Sequence, residues 1–285
     1  MKIARELCPE AIIIKGDTTT YTKYSEVVTQ IIKEQVPVLE KSSIDEFYAD
    51  LSGMDRFFGV YKYAMELRKK VIKETGLPIS FGLSGNKVVS KIAANEGKPN
   101  SKSKIDIGQE KLFLAPLSVK KIPMVGDQTY HTLRNFGIRY IKTLQEMPVE
   151  MLKGVLGKNG IIIWKRANGI DNTPVVAFSD RKSISTERTF DKDTIDIYKL
   201  RSILIAMTEN LAYQLRKHNK LTACIAVKIR YSDFNTHTKQ IKIPYTSADH
   251  ILIPKILELF HKLHQKRLLV RPVSYTHLRA HETRT

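Results

Sequence analysis

The sequence predicts an α+β protein divided into two or three domains. The first hundred residues interleave short extended runs with amphipathic helical stretches. The next seventy read as short helices separated by tight turns, and the last hundred return to strands and two longer helices. At 285 residues the chain can bury more than one core. An apolar content of 42% with 27% charged residues matches a globular protein. No apolar run approaches the roughly 20 residues of a membrane-crossing helix. The start, Met1 to Glu6, lacks the apolar core and cleavage site of a secretory signal, so a cytoplasmic protein is expected. Cys8 and Cys224 are far apart, form no ligand spacing, and are expected to be reduced.

Net charge is the strongest compositional signal, at +18. Residues 1–106 carry 17 basic and 14 acidic side chains, 107–172 carry 10 and 5, and 173–272 carry 18 and 9. The basic excess therefore grows towards the C-terminus. A polyanion-binding half joined to a less basic, carboxylate-bearing half suits a nucleic-acid enzyme. A basic structural nucleoprotein is the reading that charge alone would equally allow.

Taken in order, Ile3, Ala4 and Leu7 before Pro9 predict a short helix. Ala11 to Lys15 is apolar and β-branched, which predicts a buried strand. A helical pattern then runs from Thr18 through Tyr24 and Val28 to Gln35, ended by Pro37. Val36 to Glu40 and Glu46 to Leu51 predict two antiparallel strands. Met54 to Thr75 places Phe58, Tyr61, Ala64, Met65 and Val71 on one helical face with Arg68, Lys69 and Lys70 opposite. Gly76 stops that helix, and Leu77 to Leu83 returns as a strand. Asn86 is placed to cap a helix whose apolar face is Val88, Val89, Ile92 and Ala93. Just past its end, between Gly97 and Pro99, Lys98 offers a compact cation able to meet a triphosphate.

Lys121 to Leu133, followed by Phe136-Gly137-Ile138, has the rhythm of a helix-hairpin-helix. Its hairpin is Met124-Val125-Gly126, and the N–H groups of Val125 and Gly126 are candidate contacts to backbone phosphate. The usual first glycine of such a hairpin is replaced by Met124. Pro174 to Arg181 reads as a linker. Lys182 to Phe190 alternates hydroxyl and basic residues with larger ones, as a half-exposed strand does. A helix over Ile195 to His218, strands over Ala223 to Tyr231 and Gln240 to Tyr245, and a helix over Ala248 to Gln265 complete a small α+β unit.

Between the first two strands lies Ser42-Ser43-Ile44-Asp45-Glu46-Phe47-Tyr48-Ala49-Asp50-Leu51. Adjacent strand residues point to opposite faces, so Asp45 and Glu46 can share a cation only if a bend re-aims one of them. Two neighbouring anions repel unless a cation lies between them, and Mg²⁺ is the usual oxygen-liganded solution. A solvated hairpin tip is the ordinary meaning of such a pair.

The wording of the whole stretch departs from that ordinary meaning. Ser-Ile-Asp-Glu-Phe-Tyr-Ala-Asp-Leu-Ser-Gly resembles the second metal-binding motif of Y-family translesion DNA polymerases of the bacterial polymerase IV type. The passage from Ser84 to Asn100 resembles the family's segment bearing a triphosphate-contacting lysine before Pro-Asn, although Ser101 stands where the family often has Gly. The resemblance implies a palm with an antiparallel sheet and helices over 1–106, including the end of the fingers. It implies a helix-hairpin-helix thumb over 107–172, a linker over 173–180 and an α+β little finger over 181–272, whose strands would present Ser183, Ser185, Thr186 and Arg188 to phosphate. Val273 to Thr283 departs from the family and looks like translated adapter sequence, so 273–285 is expected to be a non-native tail.

The resemblance further implies primer extension templated by DNA, from deoxynucleoside triphosphates and with two Mg²⁺ ions. Asp45 and Glu46 would be the metal-binding catalytic carboxylates, and Lys98 would bind the triphosphate. Expected partners are primer-template DNA and nucleotides, with a sliding clamp for the complete protein, and the chain is expected to be monomeric. By the same resemblance, the family's first palm strand with its metal-binding Asp and the steric-gate aromatic would precede Met1. This fragment is accordingly expected to bind DNA without appreciable incorporation. A DNA-binding module without catalysis is the other class the residues allow.

Overall fold

A computed structural model describes residues 2–14, 16–54, 59–177, 183–266 and 268–282. The chain divides into two units, Met1–Phe178 and Ser179–Thr285.

In the N-terminal unit, helix α1 (Lys2–Leu7) is followed by an irregular run. Ala11 to Ile14 is not a strand, and Ile12 and Ile14 are 89% and 85% exposed. A β-branched run becomes a strand only when another strand supplies its hydrogen bonds, and no described strand pairs with this one. Lys15, the last residue of that expected strand, lies outside the described residues, as does Phe58 of the expected Met54–Thr75 helix.

Helix α2 (Thr18–Lys33) starts where Asp17 accepts hydrogen bonds from the N–H groups of Thr19 and Thr20. Strands β1 (Val38–Lys41) and β2 (Phe47–Asp50) form the antiparallel hairpin, with Lys41 opposite Phe47. Helix α3 (Val60–Thr75) ends at Gly76, whose φ of 71° is the left-handed cap that glycine supplies at little cost. Val28, Ile31 and Ile32 of α2 close one core with Val36, Leu39 and Val71.

Strand β3 (Phe81–Leu83), helix α4 (Lys87–Glu96) and strand β4 (Lys102–Lys104) form a β-α-β crossover with parallel strands. Besides the expected antiparallel sheet, this unit thus holds a second, parallel two-stranded sheet. Helix α4 packs so closely on β3 that a Cβ on Gly82 would fall 2.1 Å from the Ser90 carbonyl oxygen.

The next helices are α5 (Glu110–Leu114), α6 (Asp127–Asn135), α7 (Ile141–Glu146), α8 (Val149–Leu156) and α9 (Lys158–Ala167). Their core includes Leu114, Leu133, Ile141, Leu144 and Ile163, and it is shared by Val88, Val89 and Ile92 of α4. The helix assigned to the palm from its wording therefore buries its apolar face in the helical region. Arg68, expected on the solvent face of α3, is only 9% exposed, because its guanidinium finds acceptors inside the unit.

The C-terminal unit is an antiparallel sheet in the order β5-β8-β6-β7, made of β5 (Ser183–Thr194), β6 (Lys220–Tyr231), β7 (Thr236–Thr246) and β8 (Val270–Glu282). Helices α10 (Ile197–Lys217) and α11 (Asp249–Leu263) cover one face. Leu200, Leu204, Leu211 and Leu215 recur on α10 at helical spacing and are buried, the first three in one core with Val227, Ile229, Leu252 and Ile256. Strand β8 runs through the stretch expected to be a tail, with Val273 and Tyr275 fully buried in this core. Those residues are in register with both β5 and β6. Lys182, the expected start of β5, lies outside the described residues.

Candidate active site

A bend at Ser43 to Asp45 joins β1 to β2, with Asp45 inside the bend and Glu46 just after it. Glu46 accepts from the N–H groups of Ser42 and Ser43 through its carbonyl, at 2.9 and 3.2 Å. The Ser43 hydroxyl accepts from the N–H groups of Asp45 and Glu46, at 3.3 and 3.1 Å, and donates to Asp45 Oδ1 at 2.6 Å. Ser25, buried on α2, donates its hydroxyl to the Ile44 carbonyl and fastens the turn from behind. Neither serine was singled out from the sequence. Ser43 was legible as an ST turn ahead of two carboxylates.

Helix α4 faces this hairpin with two lysines one turn apart. Lys91 Nζ lies 2.6 Å from Glu46 Oε2, with 32% and 37% of the two side chains exposed. Its hydrogen bond with Glu46 raises the lysine pKa, and the charge of Asp45 adds to the same effect. Lys87 Nζ lies 2.8 and 3.0 Å from the two oxygens of Glu40 and also donates to the Pro174 carbonyl at 3.0 Å. Burial alone would raise the Glu40 pKa, but Lys87 and the Val176 N–H together hold it below the usual value. Tyr48 stands opposite Glu40 in the hairpin, its ring centroid 5.3 Å from Lys87 Nζ. Burial pushes the Tyr48 hydroxyl upward and keeps it protonated.

Lys98 is exposed just beyond α4. The loop carrying it is held by Arg68, which donates to the Ile79 carbonyl at 2.8 Å and to Asn100 Oδ1 at 3.1 Å. Ser101 fits where the family often has Gly. Its hydroxyl donates to the Ala93 carbonyl at 3.3 Å and shares a 2.9 Å hydrogen bond with Ser103. A Cβ on Gly97 would approach the same hydroxyl to 2.5 Å, so a small residue is needed there.

Among the described residues, no group of three or more His, Cys, Asp or Glu gathers to hold a metal ion. Asp45 and Glu46 nevertheless fit a hard divalent cation as two adjacent carboxylates aimed by one turn. Asp45 accepts through Oδ1 from Ser43 and Glu46 through Oε2 from Lys91.

At the helix-hairpin-helix, Met124 adopts φ +76°, the conformation a glycine would take at little cost. Val125 turns its side chain into the core and its N–H to the Ile122 carbonyl at 3.0 Å. Gly126 is the N-cap of α6 and supplies no side-chain cap, which leaves first-turn N–H groups for an anion. Arg166 of α9 holds the hairpin by donating to the Pro123 carbonyl at 2.8 Å.

In the C-terminal unit β5 is an edge strand, and its candidate residues divide between two faces. Ile184 and Phe190 pack on the core, so Thr186 and Arg188 share the helix-covered side. Ser183 and Ser185 belong to the opposite face, which also carries Lys228, Arg230 and Lys242. Those three cations were missed from the sequence, although β6 signals two of them by alternating with Val227, Ile229 and Tyr231.

The family profile described as "impB/mucB/samB family" matches residues 1–95, and the one described as "impB/mucB/samB family C-terminal domain" matches 181–284. A protein of Dehalococcoides mccartyi named DNA polymerase IV is 37% identical over 238 residues, covering 83% of this chain and 61% of that protein. Proteins of the same name from Clostridium kluyveri and Halorhodospira halophila are 35% and 32% identical. They cover 93% and 89% of this chain, and 67% and 73% of their own lengths. The chain thus spans about three fifths of the length of the Dehalococcoides mccartyi relative. A solved Y-family DNA polymerase chimera, Dbh-Dpo4(243-245)-Dbh, shares the fold with a TM-score of 0.85 at 23% identity, over 97% of this chain and 81% of its own. With both profiles matched and relatives of this identity along most of its length, the chain belongs to the impB/mucB/samB family of Y-family polymerases, of the DNA polymerase IV type.

Proposed function

We propose that this chain carries the palm carboxylates, the thumb and the DNA-gripping unit of a damage-bypass DNA polymerase. Such an enzyme adds deoxynucleotides to a primer on a DNA template. The observation that carries the reading is the Asp45–Glu46 turn facing α4, with the exposed Lys98 just past the far end of that helix. In this reading residues 1–106, 107–172 and 181–272 act as palm, thumb and little finger.

Asp45 and Glu46 would hold Mg²⁺, which when bound supplies Lewis acidity to the primer 3′ hydroxyl and offsets charge on the triphosphate. Ser43 keeps both carboxylates on one turn, so little reorganisation is needed when substrate arrives. Lys98 meets the triphosphate as a mobile point charge. The N-terminus of α6 and the outer face of the C-terminal sheet bind phosphate without reading sequence. Primer-template DNA and deoxynucleoside triphosphates are the substrates. The chain works as a monomer in the cytoplasm, and a sliding clamp is a partner of its longer relatives' type.

The test is single-nucleotide primer extension by this chain joined to the parts of the Dehalococcoides mccartyi relative outside the match. Asp45→Ala and Glu46→Ala should each abolish incorporation while leaving DNA affinity within about twofold, since catalysis depends on charge placement. Incorporation that survives both substitutions would sink the reading.

A further inference from the structure

We propose that Lys91 is a positioning residue for the metal site, holding Glu46 in place until a divalent ion displaces its ammonium group. This rests on the reading of Asp45 and Glu46 as metal ligands. The two lysines of α4 differ in a way that assigns the role to one of them. Lys87 has three acceptors, both oxygens of Glu40 and the Pro174 carbonyl, and the Lys87–Glu40 side chains are 14% and 24% exposed. That pair is a fixed structural tie between hairpin, helix and the segment reaching Val176.

Lys91 donates to Glu46 Oε2 at 2.6 Å, in a pair about a third exposed on both sides. Water can therefore reach the contact, and the ammonium can leave without stranding a buried charge. Asp45 and Glu46 are adjacent anions, and without a neighbouring cation their repulsion would swing one carboxylate away. Lys91 supplies that cation from a rigid helix and keeps Glu46 turned towards α4. A divalent ion carries twice the charge and approaches carboxylate oxygen at about 2.0–2.1 Å. It outcompetes the lysine, but only after displacing it. Lys91 therefore sets the metal concentration at which the site fills.

The experiment measures Mn²⁺ binding by electron paramagnetic resonance to this chain joined to the parts of the Dehalococcoides mccartyi relative outside the match, for the wild type, Lys91→Met, Lys91→Arg and the double variant D45N/E46Q. Lys91→Met should bind Mn²⁺ about three- to tenfold more tightly, because losing one competing charge outweighs the looser hold on a carboxylate that the ion itself orients. Lys91→Arg should stay within about twofold of wild type, and D45N/E46Q should lose the site. A second measurement needs no variant at Lys91. Acetylation of Lys91 in the wild type, followed by mass spectrometry, should rise on adding Mn²⁺ while that of Lys87 stays constant. Carboxylate-dependent binding with unchanged or weaker affinity in Lys91→Met, or Lys91 acetylation indifferent to Mn²⁺, overturns this inference alone. Binding that is absent, or that ignores D45N/E46Q, overturns the metal-ligand reading beneath it.

Discussion

Arg68 of α3 reaches Asn100, 32 residues further along the chain, and the 3.1 Å contact ties the loop after α4 to the first helical layer. Asn100 adopts φ +64°, which Asn tolerates better than most residues. With its second bond to the Ile79 carbonyl, the guanidinium closes a gap between α3, β3 and the Lys98 loop. Removing it would leave two acceptors without their donor. Arg68→Ala should therefore cost about 2–3 kcal/mol in urea unfolding. Arg68→Lys should recover only part, because an ammonium cannot reproduce the fork. A loss below about 0.5 kcal/mol for Arg68→Ala would show that these contacts do not hold the loop.

Met124 offers the opposite case, a residue whose replacement should stabilise. Its left-handed backbone costs a non-glycine residue about 1–2 kcal/mol, and its side chain is 54% exposed, so little packing is lost. The greater freedom of glycine in the unfolded chain offsets part of the gain. Met124→Gly should raise stability by about 0.5–1 kcal/mol, whereas Met124→Val should lower it. Equal denaturation midpoints for the three proteins would contradict the strain.

DNA affinity should fall steeply with salt and depend little on sequence. If about six phosphates are contacted, affinity drops roughly 10³-fold between 50 and 200 mM salt. Arg230→Gln with Lys242→Gln should reduce the slope of log affinity against log salt by about 0.9 for each contact removed. Fluorescence anisotropy with two unrelated primer-templates measures both. A flat salt response, or strong preference for one sequence, would count against the sheet face as a phosphate surface.

His264 should make the chain acid-sensitive. Its ring stacks on Phe260 at 5.3 Å, its Nε2 is buried without a hydrogen-bond partner, and burial lowers its pKa. A histidine with a folded pKa below its unfolded value binds its proton more readily when unfolded. Its neutral form therefore supports the fold above about pH 6.5, and that support is lost as pH falls towards the lowered folded value. Phe190, Ile203 and the other core residues carry no charge to offset it, and His261 adds repulsion from the same helix. His237 and Lys266 flank the same Tyr231 ring, so neither supplies an anion. Thermal unfolding between pH 5 and 7 should show a smaller acid loss for His264→Phe than for wild type. Parallel curves would exclude His264 as the source.

Much of the fold was legible because short-range physics fixes it. Asn86 caps α4, Gly76 ends α3, and the spacing of Leu200, Leu204, Leu211 and Leu215 marks the buried side of α10. The hairpin around Asp45 could be read from two extended runs, and alternation of strand side chains made a bend the condition for Asp45 and Glu46 to share a cation. The tertiary structure decided the rest. Ala11 to Ile14 has strand-like residues but no partner strand, Arg68 looked like solvent-facing charge but found acceptors on other segments, and α4 buries its apolar face among the helices of residues 110–167. Periodicity records that one side of a segment avoids water; it does not record which distant segment covers it. Ion pairs such as Lys91–Glu46, 45 residues apart in sequence, depend on that missing information, because a charge acts on whatever the fold brings near it.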